Sequence, residues 1–374
     1  MVLGLIRRRA APARRICVLH AGLPKTGSSA LQAHLACNAA ALAKAGILYP
    51  AAGRRRGGVE HGDLMREMAG RPIFRGGSGM LAALEREIAR RDHEVLLISS
   101  EFLHAPLYLL RAPRIRDWMA ARGYALHVVV YLRDQPALLN SVYAQQVKTL
   151  REHRPFDAVL DERLSPDAPP GRMFRMENFL RAAGGWATHH FEAYDEAVRR
   201  TGVEPHFVAL LRRICAGEGV AAGFDAAAAA RLAPVGRVNE ACGPVQLAAS
   251  RILAAEIADR FDRRARARAT VGVFELIAAE IAAAGLSEPA YCGLTPARLR
   301  RIRAALSAGN DRFARAVWGC SWAERFGGDG PAPSSNDPDD TGAAAVLAQA
   351  REIAARARPG VMALIEERLR KGLV

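Results

Sequence analysis

Long apolar runs, paired cysteines and secretory features are all missing from this chain of 374 residues. No apolar stretch approaches the about 20 residues that a membrane-spanning helix needs, so the sequence predicts no transmembrane segment. The six cysteines are scattered, with neither a C-x-x-C pair nor the spacing of a zinc site. A basic tail over residues 1–14 lacks the apolar stretch of a signal peptide. These features favour a reducing compartment, and we expect a cytoplasmic location.

Lysine is also scarce, although the chain is strongly basic. Basic residues outnumber acidic ones by 53 to 38, and the formal net charge is +15, but lysine occurs only at Lys25, Lys44, Lys148 and Lys371. A basic surface attracts anions such as nucleotides or acidic glycans. The arginines are spread along the chain and aromatic residues make up only 6%, which argues against nucleic acid as the partner.

Apolar runs alternate with helical patterns in the first 150 residues. Three short runs predict buried β-strands, at residues 16–20, 95–99 and 125–132. Because helical spacing follows each of them, the sequence predicts an α/β fold with a central parallel sheet flanked by helices. In such sheets ligands bind beyond the carboxyl ends of the strands. The polar clusters of the chain fall at these ends, at residues 22–29, 99–101 and 133–141.

The later half of the sequence is mostly helical. Helical spacing occurs at residues 176–184, 192–200, 244–268, 271–285 and 294–317. A segment rich in Gly, Pro, Ser and Asp at residues 327–342 predicts a flexible linker. We therefore expect one α/β domain over residues 15–326, followed by this linker and a C-terminal helix over residues 343–374.

The loop after the first predicted strand has the features of a phosphate-binding loop. Backbone N–H groups at a helix N-terminus bind phosphate through unpaired donors and the helix dipole. Gly22 and Gly27 have the spacing of the ATP and GTP loop G-x-x-x-x-G-K-[ST], but the residue after Gly27 is Ser28. The lysine, Lys25, lies two residues before the second glycine, which argues against an ATPase or GTPase.

A family resemblance follows from these residues. The run Pro24-Lys25-Thr26-Gly27-Ser28-Ser29 resembles the 5′-phosphosulfate loop P-K-[ST]-G-[ST]-[ST] of sulfotransferases. These enzymes use 3′-phosphoadenosine-5′-phosphosulfate (PAPS) and release adenosine 3′,5′-bisphosphate (PAP). The resemblance implies a three-layer P-loop fold, a lysine that stabilises charge as sulfate transfers, and no required metal. It extends over residues 15–150 and more loosely beyond.

A second part of the family signature lies after the third predicted strand. There a strand ends in arginine and a serine follows eight residues later, and the two bind the 3′-phosphate. Arg133 and Ser141 have this spacing. Ser141 lies about two turns into the predicted helix, so both side chains can point toward one phosphate. A late glycine-containing loop of the family has no clear match, and residues 236–240 are the candidate replacement.

Transfer to an acceptor hydroxyl needs a base, and superfamily members use glutamate or histidine. Glu101 is the first candidate because it follows a central strand, although a helix-cap or ion-pair role is an equal alternative. His61 is the second candidate, and His104 and His20 are the third. Lys148 falls on the same predicted helix face as Ser141 and could contact either substrate.

Two other functions remain open at this point. One is a P-loop kinase or nucleotide hydrolase. The other is a non-catalytic nucleotide- or anion-binding protein of the same fold, such as a binder of nucleic acid or of acidic glycans. For a sulfotransferase, the acceptor is a hydroxyl or amine compound that the sequence does not identify, and we prefer a glycan or glycolipid.

Overall fold

The computed structural model describes residues 15–54, 58–70, 79–101, 105–167, 174–236, 241–261, 270, 272–327 and 334–371, with the backbone alone at 105–112 and 182. The predicted basic tail, His104 and most of the predicted loop at residues 236–240 lie outside these residues. No helix within the described ranges is both long and apolar enough to cross a membrane.

Five strands and a series of helices make up the described chain. The strands are β1 (Arg15–Ala21), β2 (Ile47–Leu48), β3 (Val95–Ser100), β4 (Tyr124–Leu132) and β5 (Thr188–Ala193). The helices up to β5 are α1 (Ser28–Cys37), α2 (Ala39–Lys44), α3 (Gly62–Met68), α4 (Met80–Arg90), α5 (Ala105–Ala120), α6 (Gln135–Lys148), α7 (Phe156–Leu164) and α8 (Glu177–Ala182). The later helices are α9 (Glu196–Thr201), α10 (Val203–Glu218), α11 (Ala226–Ala230), α12 (Pro244–Arg260), α13 (Phe274–Ala283), α14 (Pro296–Trp318), α15 (Trp322–Phe326), α16 (Pro338–Thr341) and α17 (Ala344–Arg370).

The strands form one parallel sheet in the order β2-β3-β1-β4-β5. The predicted α/β class with a parallel sheet is therefore confirmed. β1 is the central strand, and its Ile16 pairs with Val95 of β3 and Ala125 of β4. The chain leaves β1 toward one edge of the sheet and β4 toward the other. The carboxyl ends of β1 and β4 thus flank a topological switch point, where sheets of this class bind ligands.

The described chain divides into two compact units. The first comprises Met1–Leu132 and Met176–Val238 and contains the sheet. Its core packs β1, β3 and β4 against helices α1 and α10, and its members include Val18, Leu35, Leu97, Val129 and Phe207. Continuous burial along β1, β3 and β4 explains why these strands read as unbroken apolar runs.

The second unit comprises Arg133–Arg175 and Asn239–Val374, and the secondary-structure elements among its described residues are all helices. One core cluster joins α6, α7 and α14 and includes Tyr143, Phe156 and Ile302. A second cluster joins α12, α13 and α17 and includes Leu253. The apolar residues of these clusters lie on the buried faces of the helices, which explains the helical spacing that the sequence shows in the later half of the chain.

Two sequence predictions differ from the structure. The helix predicted over residues 192–200 begins only at Glu196, because Thr188–Ala193 forms β5. This edge strand contains two histidines and a glutamate, so it lacks the apolar run that marks the central strands. Part of the predicted linker forms α16, and the side chain of Asp337 caps this helix and accepts a 2.6 Å hydrogen bond from the Tyr291 hydroxyl.

Candidate functional site

The loop between β1 and α1 has a backbone that few residue types adopt. Lys25 has a φ of 67° and Gly27 a φ of 79°, both in the left-handed region. Such alternation turns successive N–H groups toward one concavity, the arrangement that cradles anions. The loop is fixed to β3, since the N–H of Gly22 donates to the carbonyl of Ser100 at 3.2 Å. It is also closely covered, because a Cβ on Gly27 would lie 2.8 Å from Val203.

The loop hydroxyls differ in what they contact. Thr26 and Ser28 are buried and both donate to the carbonyl of Leu23, at 2.7 and 3.2 Å. Ser29, in contrast, is exposed at the start of α1. Of the hydroxyls predicted to bind phosphate, the structure therefore presents Ser29 to solvent and uses Thr26 and Ser28 to shape the loop.

Glu101 lies directly after β3 and reaches this loop. Its carboxyl group is hydrogen-bonded to the Ser28 hydroxyl. Burial, and secondarily the carboxylate of Glu60, raises the pKa of Glu101 to about 7, although Ser28 and Lys25 both act to lower it. A carboxyl group with a pKa near neutrality, beside a lysine, is suited to proton transfer at neutral pH.

His61 is buried, and both of its ring nitrogens contact backbone groups. Its Nδ1 accepts from the N–H of Ser99 at 3.2 Å, and Nε2 lies 3.0 Å from the carbonyl of Pro50. Burial lowers the pKa of His61 to about 4. The imidazole is therefore neutral, and its hydrogen bonds connect the segment before α3 to β3. To act as a base, His61 would have to break these hydrogen bonds.

His20, near the end of β1, is the better-placed histidine. Its Nδ1 is 2.7 Å from the hydroxyl of Ser99, and its ring packs between Tyr131 and Phe207. Burial lowers the pKa of His20 to about 4, so the imidazole is neutral. Its buried Nε2 has no hydrogen-bond partner among the described residues.

The predicted 3′-phosphate residues belong to the second compact unit, whereas the loop belongs to the first. Arg133 directly follows β4 and is separated from α6 by Asp134, and Ser141 lies half-buried about two turns into that helix. The predicted arrangement of strand end, helix and serine is therefore present in the chain. Further along α6, the amine of Lys148 lies 4.8 Å from the centre of the Phe274 ring.

Glu60 is a site residue that the sequence reasoning did not select. It is half-buried, and it acts on the ionisation of Glu101 across 41 positions of sequence. The only signal in the sequence is its position next to His61. Its role depends on a long-range pairing of the chain that periodicity does not reveal.

No protein-family model, curated protein or solved structure matches this chain. The resemblance to sulfotransferases therefore rests on the loop at residues 24–29 and on the Arg133–Ser141 spacing.

Proposed function

We propose that this protein transfers a sulfuryl group from PAPS to a hydroxyl or amine acceptor. The observation that carries the proposal is the loop after the central strand β1, with Lys25 in the left-handed region and Glu101 hydrogen-bonded to its Ser28. The chemistry requires a cation at the transferring group and a proton acceptor beside it. The proposal includes a P-loop fold for the first unit.

The loop supplies the groups that an anionic donor needs. The N–H groups at the start of α1 and the exposed hydroxyl of Ser29 would hold the 5′-phosphosulfate, and no acidic residue lies in the first turn of α1. The amine of Lys25 would neutralise charge on the leaving oxygen. The proposal keeps Arg133 and Ser141 as the predicted ligands of the 3′-phosphate.

Glu101 is the proposed general base. Sulfuryl transfer is an in-line displacement in which positioning and charge stabilisation dominate, as in phosphoryl transfer. The acceptor hydroxyl must lose its proton during this displacement, and a base works best when its pKa is near the operating pH. The pKa of about 7 of Glu101 meets this condition. Among acceptors, a glycan or glycolipid remains our preference.

Ligand binding tests the proposal against a kinase or hydrolase. We expect PAP to bind at least about tenfold more tightly than ADP or ATP in isothermal titration calorimetry, because only PAP carries a 3′-phosphate. One charge-assisted hydrogen bond to this phosphate contributes about 1.5–3 kcal/mol, which corresponds to a factor of at least about ten in the dissociation constant. Arg133→Ala should remove the preference for PAP over ADP while ADP binding persists. Tighter binding of ATP than of PAP would overturn the proposal in favour of a P-loop kinase or hydrolase.

A further inference from the structure

We propose that a cavity between α6, α14 and α15 in the second compact unit binds a neutral sugar ring. The cavity has a volume of about 110 Å³, whereas a single water molecule needs only about 10–15 Å³. All of its lining residues belong to the second unit. The inference goes beyond the proposed function and does not depend on it, although a bound sugar would agree with a glycan acceptor.

Aromatic residues are concentrated beside this cavity. The chain holds only 6% aromatic residues, but four of them occur close together at the end of α14 and in α15: Phe313, Trp318, Trp322 and Phe326. The ring centres of Trp322 and Phe326 are 4.6 Å apart, and both residues line the cavity, together with Leu306 of α14. Ligand pockets are commonly lined in this way, and the C–H face of a sugar ring can pack against such a surface.

Two carboxylates that line the cavity are held in place by one residue of α15. The indole N–H of Trp322 donates to Oδ1 of Asp134 at 2.9 Å, and its backbone N–H donates to Oδ1 of Asp311 at 2.9 Å. The start of α15 is itself fixed by a capping box between Ser321 and Glu324. A carboxylate has about four acceptor sites, so each aspartate can still accept hydrogen bonds from the hydroxyl groups of a ligand.

Hydrogen-bond donors line the same cavity as these acceptors. Arg303 carries five N–H donors, and Ser307 presents a hydroxyl group at an exposed position of α14. A simple cation would be repelled by the guanidinium of Arg303, and a simple anion would be repelled by the two carboxylates. A neutral ring with several hydroxyl groups suits both, because each hydroxyl is a donor and an acceptor. The lining therefore favours a sugar over an amine or a phosphate.

The buried amides of the cavity already satisfy each other. Gln135 and Asn310 line the cavity and exchange side-chain hydrogen bonds of 2.6 and 2.8 Å, which connect α6 to α14. These groups hold the fold, and the aspartates, Arg303 and Ser307 are left as the groups that would contact the sugar. Substitutions at an exposed lining position can therefore block the cavity without breaking the buried amide pair.

Saturation-transfer difference NMR of the full chain with methyl β-glucoside, methyl β-galactoside and N-acetylglucosamine tests the site. At least one of these sugars should give ring-proton signals, with a dissociation constant on the order of 1 mM for a ligand of this size. Ser307→Tyr should abolish the signals by filling the cavity, whereas Ala308→Tyr, at an exposed position of the same helix outside the lining, should leave them unchanged. Asp134→Asn keeps an acceptor for Trp322 and should weaken binding about threefold to tenfold, because it removes the charge.

Calorimetry with PAP on the same proteins separates this inference from the proposed function. Ser307→Tyr should bind PAP as the unaltered protein does and should keep its melting temperature. No signal from any of the sugars, or signals that persist in Ser307→Tyr, would overturn the sugar site and leave the proposed function standing. Loss of PAP binding in a folded Ser307→Tyr variant would assign the cavity to the nucleotide and would also overturn the sugar site. Absence of PAP binding in the unaltered protein would overturn the proposed function alone.

Discussion

Buried polar groups are arranged differently at two places in the molecule. In the second unit, one set of them is matched: Gln135 and Asn310 exchange two side-chain hydrogen bonds of 2.6 and 2.8 Å, and Arg298 lies between two aspartates. At the end of β1 in the first unit, the buried Nε2 of His20 has no hydrogen-bond partner among the described residues. Close by, at the end of β3, burial raises the pKa of Glu101 to about 7. Matched groups fix a fold, whereas a buried ring nitrogen without a partner at a strand end indicates a place for a ligand.

The largest expected effect tests the matched side of this comparison. Arg298→Ala should destabilise the protein by about 3–5 kcal/mol, because Arg298 is only 9% exposed and donates to Asp157 at 2.6 Å and to Asp340. Arg301→Ala is the control, since Arg301 is 41% exposed and pairs with the exposed Asp161, and it should cost at most about 1 kcal/mol. Urea unfolding of both variants measures the difference. Equal effects would contradict a structural role for the Arg298 network.

The next effect tests the strand-end site of the first unit through the pKa of Glu101. The folded state binds the Glu101 proton more tightly than the unfolded state, whose pKa is near 4.5, so this stabilisation is complete below pH 4.5 and is lost as the pH rises through 7. Relative to Glu101→Gln, the unaltered protein should lose about 2–3 kcal/mol between pH 4 and pH 8, a value reduced for partial exposure. Urea midpoints across this range provide the measurement, and parallel profiles for the two proteins would refute the raised pKa.

The smallest expected effect concerns the shape of the loop. Gly27→Ala should cost about 2 kcal/mol, because it combines a left-handed φ with a contact of 2.8 Å to Val203. Gly219→Ala provides the matched control, since its φ of 69° is similar but nothing lies within 4 Å of the added Cβ, and it should cost about 1 kcal/mol. Thermal unfolding distinguishes the two. A smaller loss at Gly27 than at Gly219 would show that the loop is not tightly covered.

The central strands could be predicted from the sequence to within one residue at each end. They are buried on both faces, so their apolar runs are continuous, as in Val128-Val129-Val130 of β4. β5 could not be predicted, because its histidines and its glutamate hide an edge strand. The boundary between the two compact units after Leu132 could not be predicted either, because the amino-acid composition does not change there.

The candidate site could be predicted only in part. Local spacing identified the loop around Lys25, because a phosphate loop is contiguous in sequence. It also selected Glu101, because a polar residue directly after a buried strand faces the ligand edge. Glu60 depends on the pairing of His61 with Ser99, a long-range contact without a periodic signal. The hydrogen bond from the Ser28 hydroxyl to the Leu23 carbonyl likewise forms only in the folded loop, so the sequence does not reveal it.

The most direct test of the central claim compares two lysines of the first unit. Lys25→Ala should lower the rate of sulfuryl transfer from PAPS by about 10²–10³-fold, the usual cost of losing one charge-stabilising donor, with the melting temperature unchanged. Lys44→Ala, at an exposed position of α2, should retain full transfer. The expected result is therefore a large loss of transfer in the Lys25 variant and none in the Lys44 variant. Unimpaired transfer by the Lys25 variant would contradict it.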